Sequence, residues 1–117
     1  MVRARTKEDS VSTLSLISLE CIRRHDVSGV DEPAIYLDNL RAWSGVISKG
    51  EVESLRGDRA DPYPFDDSCL VSLYEVSNGV SHQIAYAQRV SDRPKSNGLV
   101  VFKTSGTHYE LRYQVSA

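Results

Sequence analysis

The chain has 117 residues, which is the size of one domain and is long enough to bury a hydrophobic core without a structural metal or several disulfides. Hydrophobic residues make up 40% of it and charged residues 26%, as in ordinary soluble proteins, and the formal net charge is −2. This balance excludes binding to nucleic acid or to an anionic membrane through overall charge, so a charged partner must be recognised by a local surface.

The first twelve residues, MVRARTKEDSVS, are predicted to form a flexible arm ahead of a single domain over residues 13–117. The start is basic, but it leads into Glu8 and Asp9 instead of an apolar run. It is therefore neither a signal peptide nor a transmembrane segment. We expect a cytoplasmic protein, with secretion by a leaderless route as the alternative.

Alternating apolar and polar residues predict the first two strands. In residues 17–22, the side chains of Ile17, Leu19 and Cys21 share one face, which is the pattern of a half-buried strand. Residues 34–40 are predicted as the second strand, because this run is too short for a helix and too rich in β-forming residues.

The middle of the chain predicts a connection followed by a hairpin. Residues 54–68 contain two prolines, one glycine and four aspartates, so they cannot hold a long regular element. Residues 69–76 predict a central strand that ends at Asn78-Gly79, a dipeptide that favours a tight turn. Residues 82–90 are predicted to form the second strand of this hairpin.

The last two predicted strands are residues 99–104 and 107–115. The final one has the clearest pattern, with every second residue from Tyr109 to Val115 apolar and the residues between them polar. Six clear strands, one or two weaker ones and no long helical pattern predict an all-β fold. An antiparallel β-sandwich of about seven to eight strands fits best, with a small closed barrel as the alternative.

Two cysteines, Cys21 and Cys69, lie in apolar alternating runs and lack the paired spacing of a zinc site. We expect buried free thiols, with a disulfide between facing strands as the alternative. The sequence contains no serine-nucleophile elbow and no nucleotide-binding loop. It therefore favours a protein that is not an enzyme. Acid and base catalysis by two carboxylates in one cleft is the alternative.

Acidic residues cluster at predicted loop positions. Asp26, Asp31 and Glu32 lie between the first two strands, and Asp66 and Asp67 precede the central strand. Calcium takes six to eight oxygen ligands, which loops that converge at one end of a sandwich can supply. A divalent ion would also relieve the repulsion between neighbouring carboxylates. We therefore predict a calcium site at converging loops, with solvated turns as the alternative.

Trp43 is the only tryptophan of the chain. Its ring has two roles open to it, which are packing in the core after the second strand and contact with a partner from an exposed position. We name Trp43 as the candidate partner-binding residue.

The segment DVSGVDEPA, residues 26–34, resembles the stretch of the form D-x-x-G-x-S-D-P-Y that opens a strand in C2 domains. With the alternating strand before it, the apolar strand after it and the later strand CLVSLYEV, the resemblance covers roughly residues 14–90. It implies an eight-stranded antiparallel sandwich with a C2-like Greek key. It also implies end loops that bind calcium and dock onto phospholipid.

The resemblance also implies a ligand set. Asp26 and Asp31 match the first-loop calcium ligands of C2 domains, and the place of the second ligand loop carries Glu75 where the family has two acids. The implied function is a non-enzymatic binding module that contacts a phospholipid surface or another ligand through its acidic end loops, with calcium as cofactor. The alternative is a cation-independent subunit that binds a protein partner, with a homo-oligomer as one form of that assembly.

Overall fold

The computed structural model describes residues 11–23, 32–77 and 79–117. Residues 1–10 of the predicted arm lie outside this part of the chain, and the first strand begins at Ser12. The elements are β1 (Ser12–Arg23), β2 (Pro33–Leu37), β3 (Leu40–Ser44), β4 (Val52–Ser54), a 3-10 helix (Gly57–Arg59), β5 (Tyr63–Phe65), β6 (Ser68–Ser77), β7 (Val80–Gln83), β8 (Gln88–Ser91), β9 (Lys95–Lys103) and β10 (His108–Ser116). In the described ranges, no helix has the length and apolar character needed to span a membrane.

The strands form two antiparallel sheets. Sheet I has the order β4-β1-β10-β9, and β5 also pairs with β1. Sheet II has the order β3-β2-β6-β7, and β8 also pairs with β6. In each sheet, two short strands lie one after the other along the same neighbour, so each sheet is four strands wide. The prediction of an antiparallel β-sandwich is confirmed.

The core fills the space between the two sheets. Its largest fully buried side chains include Leu14, Leu19, Ile35, Leu37, Leu73, Phe102, Tyr109 and Leu111. Burying one such side chain contributes about 1.5–3 kcal/mol, so this layer is the main favourable term of the fold. The inward face predicted for the last strand is confirmed, because every second residue from Tyr109 to Val115 is buried.

Both cysteines are buried free thiols, as predicted. Cys21 belongs to β1 of sheet I and Cys69 to β6 of sheet II. Each therefore contributes to its own sheet as a small apolar side chain.

A β-bulge changes the inward face of β1 at Ile17. The register between β1 and β10 shifts between Leu16 and Ser18, so one extra residue is inserted at this point. Leu16 is buried before the bulge and Leu19 after it, while Ile17 is partly exposed. The predicted inward position of Ile17 is therefore wrong, because the alternation restarts after the bulge.

A two-residue turn divides the predicted second strand into β2 and β3. Asp38 and Asn39 have φ angles of 50° and 71°, and Leu37 pairs with Leu40 across the turn. Positive φ at both central residues is the conformation that a tight hairpin needs, and Asp and Asn tolerate it better than other non-glycine residues. The prediction of one strand over residues 34–40 is wrong because the chain reverses at these two residues.

The edge of sheet II beside β6 is also interrupted. The predicted hairpin after the central strand is present, but residues 84–87 separate β7 from β8. The amide of Ile84 still donates to the carbonyl of Leu73 at 2.9 Å, and the Ile84 side chain is buried. Tyr86, two residues later, is 92% exposed. The prediction of one continuous strand over residues 82–90 is therefore wrong.

The connections collect at two opposite ends of the sandwich. The Glu32 end contains Glu32, residues 45–51 and residues 104–107. The Asp38 end contains residues 38–39, 66–67 and 92–94. These two names are used below, because the position of each acidic residue relative to the two ends decides which of them can act together.

Gly98 of β9 lies under the ring of Tyr113, its partner across the strands on β10. A Cβ atom at position 98 would overlap the Tyr113 ring. The ring covers the glycine backbone from solvent, and burial raises the pKa of its phenol. Gly98 and Tyr113 therefore form a pair in which the absence of one side chain makes room for the other.

We predict that Gly98→Ala lowers the free energy of unfolding by about 1–3 kcal/mol, because the Tyr113 ring must leave its position. Urea denaturation followed by circular dichroism measures this change. Gly106→Ala is the matched control, since a Cβ at that turn meets no described heavy atom within 4 Å. Equal urea midpoints for the two variants would contradict the prediction.

Candidate functional site

The Glu32 end holds part of the predicted calcium ligand set. Asp26 and Asp31 lie outside the described residues. The carbonyl of Glu32 accepts a hydrogen bond from the amide of Val76 at 2.9 Å, which fixes Glu32 beside the end of β6. The Glu32 side chain is exposed and lines a shallow depression on the outward face of sheet II.

Glu75 lies on the opposite face of the same sheet. It follows Val71 and Leu73 on the inward face of β6, and it is only 5% exposed. Its backbone neighbour across the strands is Pro33, so Glu75 and Glu32 are close along the ladder. Since alternate residues of a strand point to opposite faces, their carboxylates lie on different sides of sheet II.

Asp66 and Asp67 lie at the Asp38 end, immediately before β6. From Ser68 to Glu75 the strand advances by seven residues, which is about 23 Å at ~3.3 Å per residue. The structure therefore does not bring Asp66 or Asp67 together with Glu32 or Glu75. In the ranges 11–23, 32–77 and 79–117, no group of three or more His, Cys, Asp or Glu residues could hold a metal ion.

Asp67 instead takes part in closing the Asp38 end. Its amide donates to Oδ2 of Asp92 at 3.1 Å, and its carbonyl accepts from the amide of Asp92 at 3.0 Å. The carbonyl of Asp92 accepts from the Ser12 hydroxyl at 2.7 Å, which links the connection after β8 to the start of β1. These contacts give Asp67, at φ 70°, a structural role in the turn before β6.

Asp38 makes the most connected set of contacts at this end. Its amide donates to the carbonyl of Leu70 at 2.9 Å, and its Oδ1 accepts from the Leu70 amide at 2.8 Å. Its Oδ2 accepts from the Tyr63 hydroxyl at 2.9 Å. Tyr63 belongs to sheet I and Leu70 to sheet II, so one carboxylate joins the two sheets.

The Asp38 carboxylate also affects two neighbouring acids. Burial and then the hydrogen bond and negative charge of Asp38 raise the pKa of Tyr63 to about 12. Burial and the charge of Asp38 likewise raise the pKa of the Cys69 thiol to about 12. Both groups therefore stay protonated and neutral at physiological pH, and Tyr63 remains a hydrogen-bond donor to Asp38.

Sequence reasoning missed Asp38, because it assigned this residue to the middle of a strand. The available signal was the Asp38-Asn39 pair, since both residue types tolerate positive φ. Its contact with Tyr63, 25 positions further along the chain, has no signature in the local sequence.

A cluster of aromatic and cationic side chains lies on the outward face of sheet II. The rings of Tyr36 and Tyr74 meet edge to face, with centroids 5.0 Å apart and an interplanar angle of 64°. The guanidinium carbon of Arg41 lies 5.9 Å from the centre of the Tyr36 ring, and its Nε donates to the Tyr36 hydroxyl at 3.4 Å. Tyr36, Arg41 and Tyr74 are called the tyrosine–arginine face below.

The tyrosine–arginine face borders the depression that Glu32 lines. Arg41, Ser44 and Val76 also line this depression, whose volume is about 230 Å³. It offers a cation, a carboxylate and an apolar surface on a rigid sheet. Such a surface can make charged and aromatic contacts with a partner.

Trp43 packs in the core and is 9% exposed. A Cβ atom at Gly45 would overlap its ring, so the chain passes closely over the indole. Core packing, the first of the two roles open to this residue, describes its position. The role in binding a partner stays a prediction, and it would require the ring to leave the core.

Neither protein-family models nor curated protein sequences give a match to this chain. Among solved structures, the fold is similar to a C2 domain of plant extended synaptotagmin 1, the one designated A. The TM-score is 0.52 at 11% sequence identity, over 91% of this chain and 92% of that chain. This likeness confirms the predicted C2-like organisation of the sandwich.

We predict that Asp38→Ala lowers the pKa of Tyr63 from about 12 toward its ordinary value of about 10, because the hydrogen bond and charge of Asp38 are removed. Two donors lose their acceptor, so the free energy of unfolding at pH 7 falls by about 1–3 kcal/mol. Absorbance at 295 nm as a function of pH measures the ionisation, with Tyr63→Phe to assign the signal.

The raised pKa of Tyr63 also makes stability depend on pH. Its contribution is fully present below the unfolded pKa of about 10 and is lost as the pH rises through about 12. The loss of stability over this interval is therefore smaller in Asp38→Ala than in the wild type. An unchanged Tyr63 titration in the variant would show that Asp38 does not act on this phenol.

Proposed function

We propose that this C2-like sandwich is a non-enzymatic binding module that recognises a protein partner through the tyrosine–arginine face, without a cation. The observation that supports this most directly is the stacking of Arg41 on Tyr36 beside Tyr74, on the outward face of the sheet. Tyrosine and arginine are the residue types that most often carry binding energy at protein interfaces.

The position of this face also supports recognition by a preorganised surface. Tyr36 lies on β2 and Tyr74 on β6, two strands paired over residues 33–37 and 71–75. Arg41 is placed opposite Tyr36 by the β2–β3 hairpin. Because hydrogen-bonded strands hold all three residues, little conformational entropy is lost when a partner binds. A partner with carboxylates next to apolar side chains matches Arg41 and the two rings.

We predict that Arg41→Glu weakens partner binding by at least about tenfold, because it removes the stacked cation and repels an acidic partner. Affinity purification from extracts of the source cells, followed by quantitative mass spectrometry, compares the proteins bound by the wild type and the variant. Proteins captured by the wild type are expected to be depleted with Arg41→Glu.

Arg112→Glu is the matched control, because Arg112 is an exposed arginine on β10 of the other sheet. It makes the same charge change away from the tyrosine–arginine face and is expected to retain the bound proteins. Thermal melting of both variants shows that each is folded. Equal capture by the wild type and by Arg41→Glu would refute this binding face.

A divalent cation at the Glu32 end is the second candidate. Glu32 directly follows the segment that contains Asp26 and Asp31, and Glu75 lies opposite Pro33 at the same end. Calcium would be bound by Asp26, Asp31 and one of the two glutamates, and the ion would mediate contact with a phospholipid surface in the cytoplasm. Asp66 and Asp67 take no part in this proposal, because they lie at the Asp38 end.

We predict that millimolar calcium raises the melting temperature relative to a chelator, if this second candidate is correct, because an ion bound only by the native state stabilises it. At ten times the dissociation constant the gain is about 1.4 kcal/mol. The double variant Asp26→Asn, Asp31→Asn should lose this shift, and Asp66→Asn should keep it. A wild-type melting temperature that is insensitive to calcium would leave only the cation-independent function.

A further inference from the structure

A second recess lies at the Glu32 end, away from the tyrosine–arginine face. It has a volume of about 450 Å³ and lies between the turn of residues 48–51 and the β9–β10 hairpin, with Ile22 of β1 in its wall. Its polar lining consists of Lys49, Lys103, Thr104, Ser105, Thr107 and His108. We call it the lysine recess. Two ammonium groups, one imidazole and three hydroxyls therefore face one space.

The backbone holds Lys49 firmly at the edge of this recess. The amide of Gly50 donates to the carbonyl of Cys21 at 2.7 Å, and the amide of Cys21 donates to the carbonyl of Glu51 at 3.0 Å. The amide of Glu51 in turn donates to the carbonyl of Ser48 at 3.0 Å. Residues 48–51 thus form a tight turn fixed to the end of β1, and Lys49 is at its tip.

The opposite side of the recess places two basic side chains next to each other. Lys103 ends β9 and His108 begins β10, and they are direct partners across the antiparallel pair. Two like charges at directly opposed positions destabilise a sheet. A bound anion would remove this repulsion whenever the imidazole is protonated, so the pairing itself points to a negatively charged ligand.

The nearby carboxylates are engaged elsewhere. Glu110 Oε2 lies 3.2 Å from Nε2 of His108, which leaves Nδ1 as the ring nitrogen for contact with a ligand. Glu51 Oε1 accepts from the amide of Ser48 at 2.6 Å, within the turn. None of the described residues that line the recess is acidic. The local charge is therefore positive, although the chain as a whole has a formal charge of −2.

We propose that the lysine recess binds a phosphate monoester or a similar tetrahedral oxyanion. Lys49 and Lys103 would approach it from opposite sides as charge-assisted donors, and the exposed hydroxyls of Thr104 and Ser105 would add neutral hydrogen bonds. Hydroxyl and ammonium donors fit the several acceptor oxygens of a phosphate group better than the two of a carboxylate. The proposal does not depend on the tyrosine–arginine face, which lies on the outward side of the other sheet.

The first test is a titration of the full chain with sodium phosphate, followed by two-dimensional NMR, against sodium chloride at equal ionic strength. We expect saturable shifts of the amide signals of residues 48–51 and 103–108, with a dissociation constant on the order of millimolar for this small, solvated ion. Lys49→Gln and Lys103→Gln should each weaken binding by about three- to tenfold.

Lys95→Gln is the matched control, because Lys95 is an exposed lysine at the other end of the strand that carries Lys103. It removes the same charge and should leave phosphate binding unchanged. If phosphate causes no saturable shift in the wild type, or if Lys95→Gln weakens binding as much as Lys103→Gln, the site is refuted. The refutation would leave the proposed protein-binding face intact.

Vesicle sedimentation identifies the source of the phosphate group. The vesicles contain phosphatidylcholine alone or with phosphatidic acid, whose headgroup is a phosphate monoester. Phosphate binding without sedimentation supports a soluble ligand. Phosphate binding together with sedimentation that depends on phosphatidic acid, and is lost in Lys49→Gln and Lys103→Gln, supports a lipid headgroup. Sedimentation that both variants retain would overturn a role of the recess at membranes.

Discussion

The carboxylate of Asp38 determines how the two sheets meet at one end of the sandwich. One of its oxygens accepts from the backbone of Leu70 in sheet II, and the other accepts from the side chain of Tyr63 in sheet I. A charged acceptor with two well-placed donors is stronger than neutral hydrogen bonds of the same kind. The β2–β3 hairpin, the start of β6 and the short strand β5 are therefore fixed to one another through a single residue.

The same end is closed further by the contacts between Asp67, Asp92 and Ser12. Acidic side chains at this end thus serve the connections between strands, and both candidate binding surfaces lie away from it. The tyrosine–arginine face uses the outward side of sheet II, and the lysine recess uses the connections at the Glu32 end. One surface offers aromatic rings with a stacked cation and the other offers cations with hydroxyls, so the two suit different partners.

Much of the fold was predictable wherever side chains alternate without interruption. The pattern of β10 gives its inward face correctly, because the period of a strand is two and one side of the sheet meets the core. The errors fall where the backbone departs from this period. Ile17 occupies a bulge and Asp38 a turn, and in both places the alternation of residue types continues through a change of direction. The candidate site was less predictable, because Asp66 and Asp67 resemble Glu32 in composition but not in position.

The sequence by itself determined the class of fold, the C2-like arrangement, the faces of the central strands and the state of the two thiols, since these follow from local periodicity and residue type. Only the tertiary structure decided which residues act together. Antiparallel strands carry successive connections to opposite ends, and a strand such as β6 separates Asp67 from Glu75 by more than a side chain can reach. Pairing across strands likewise brings Lys103 to His108, and the packing of the sheets brings Asp38 to Tyr63. These contacts depend on register and on the packing of two sheets, which no short segment of the chain specifies.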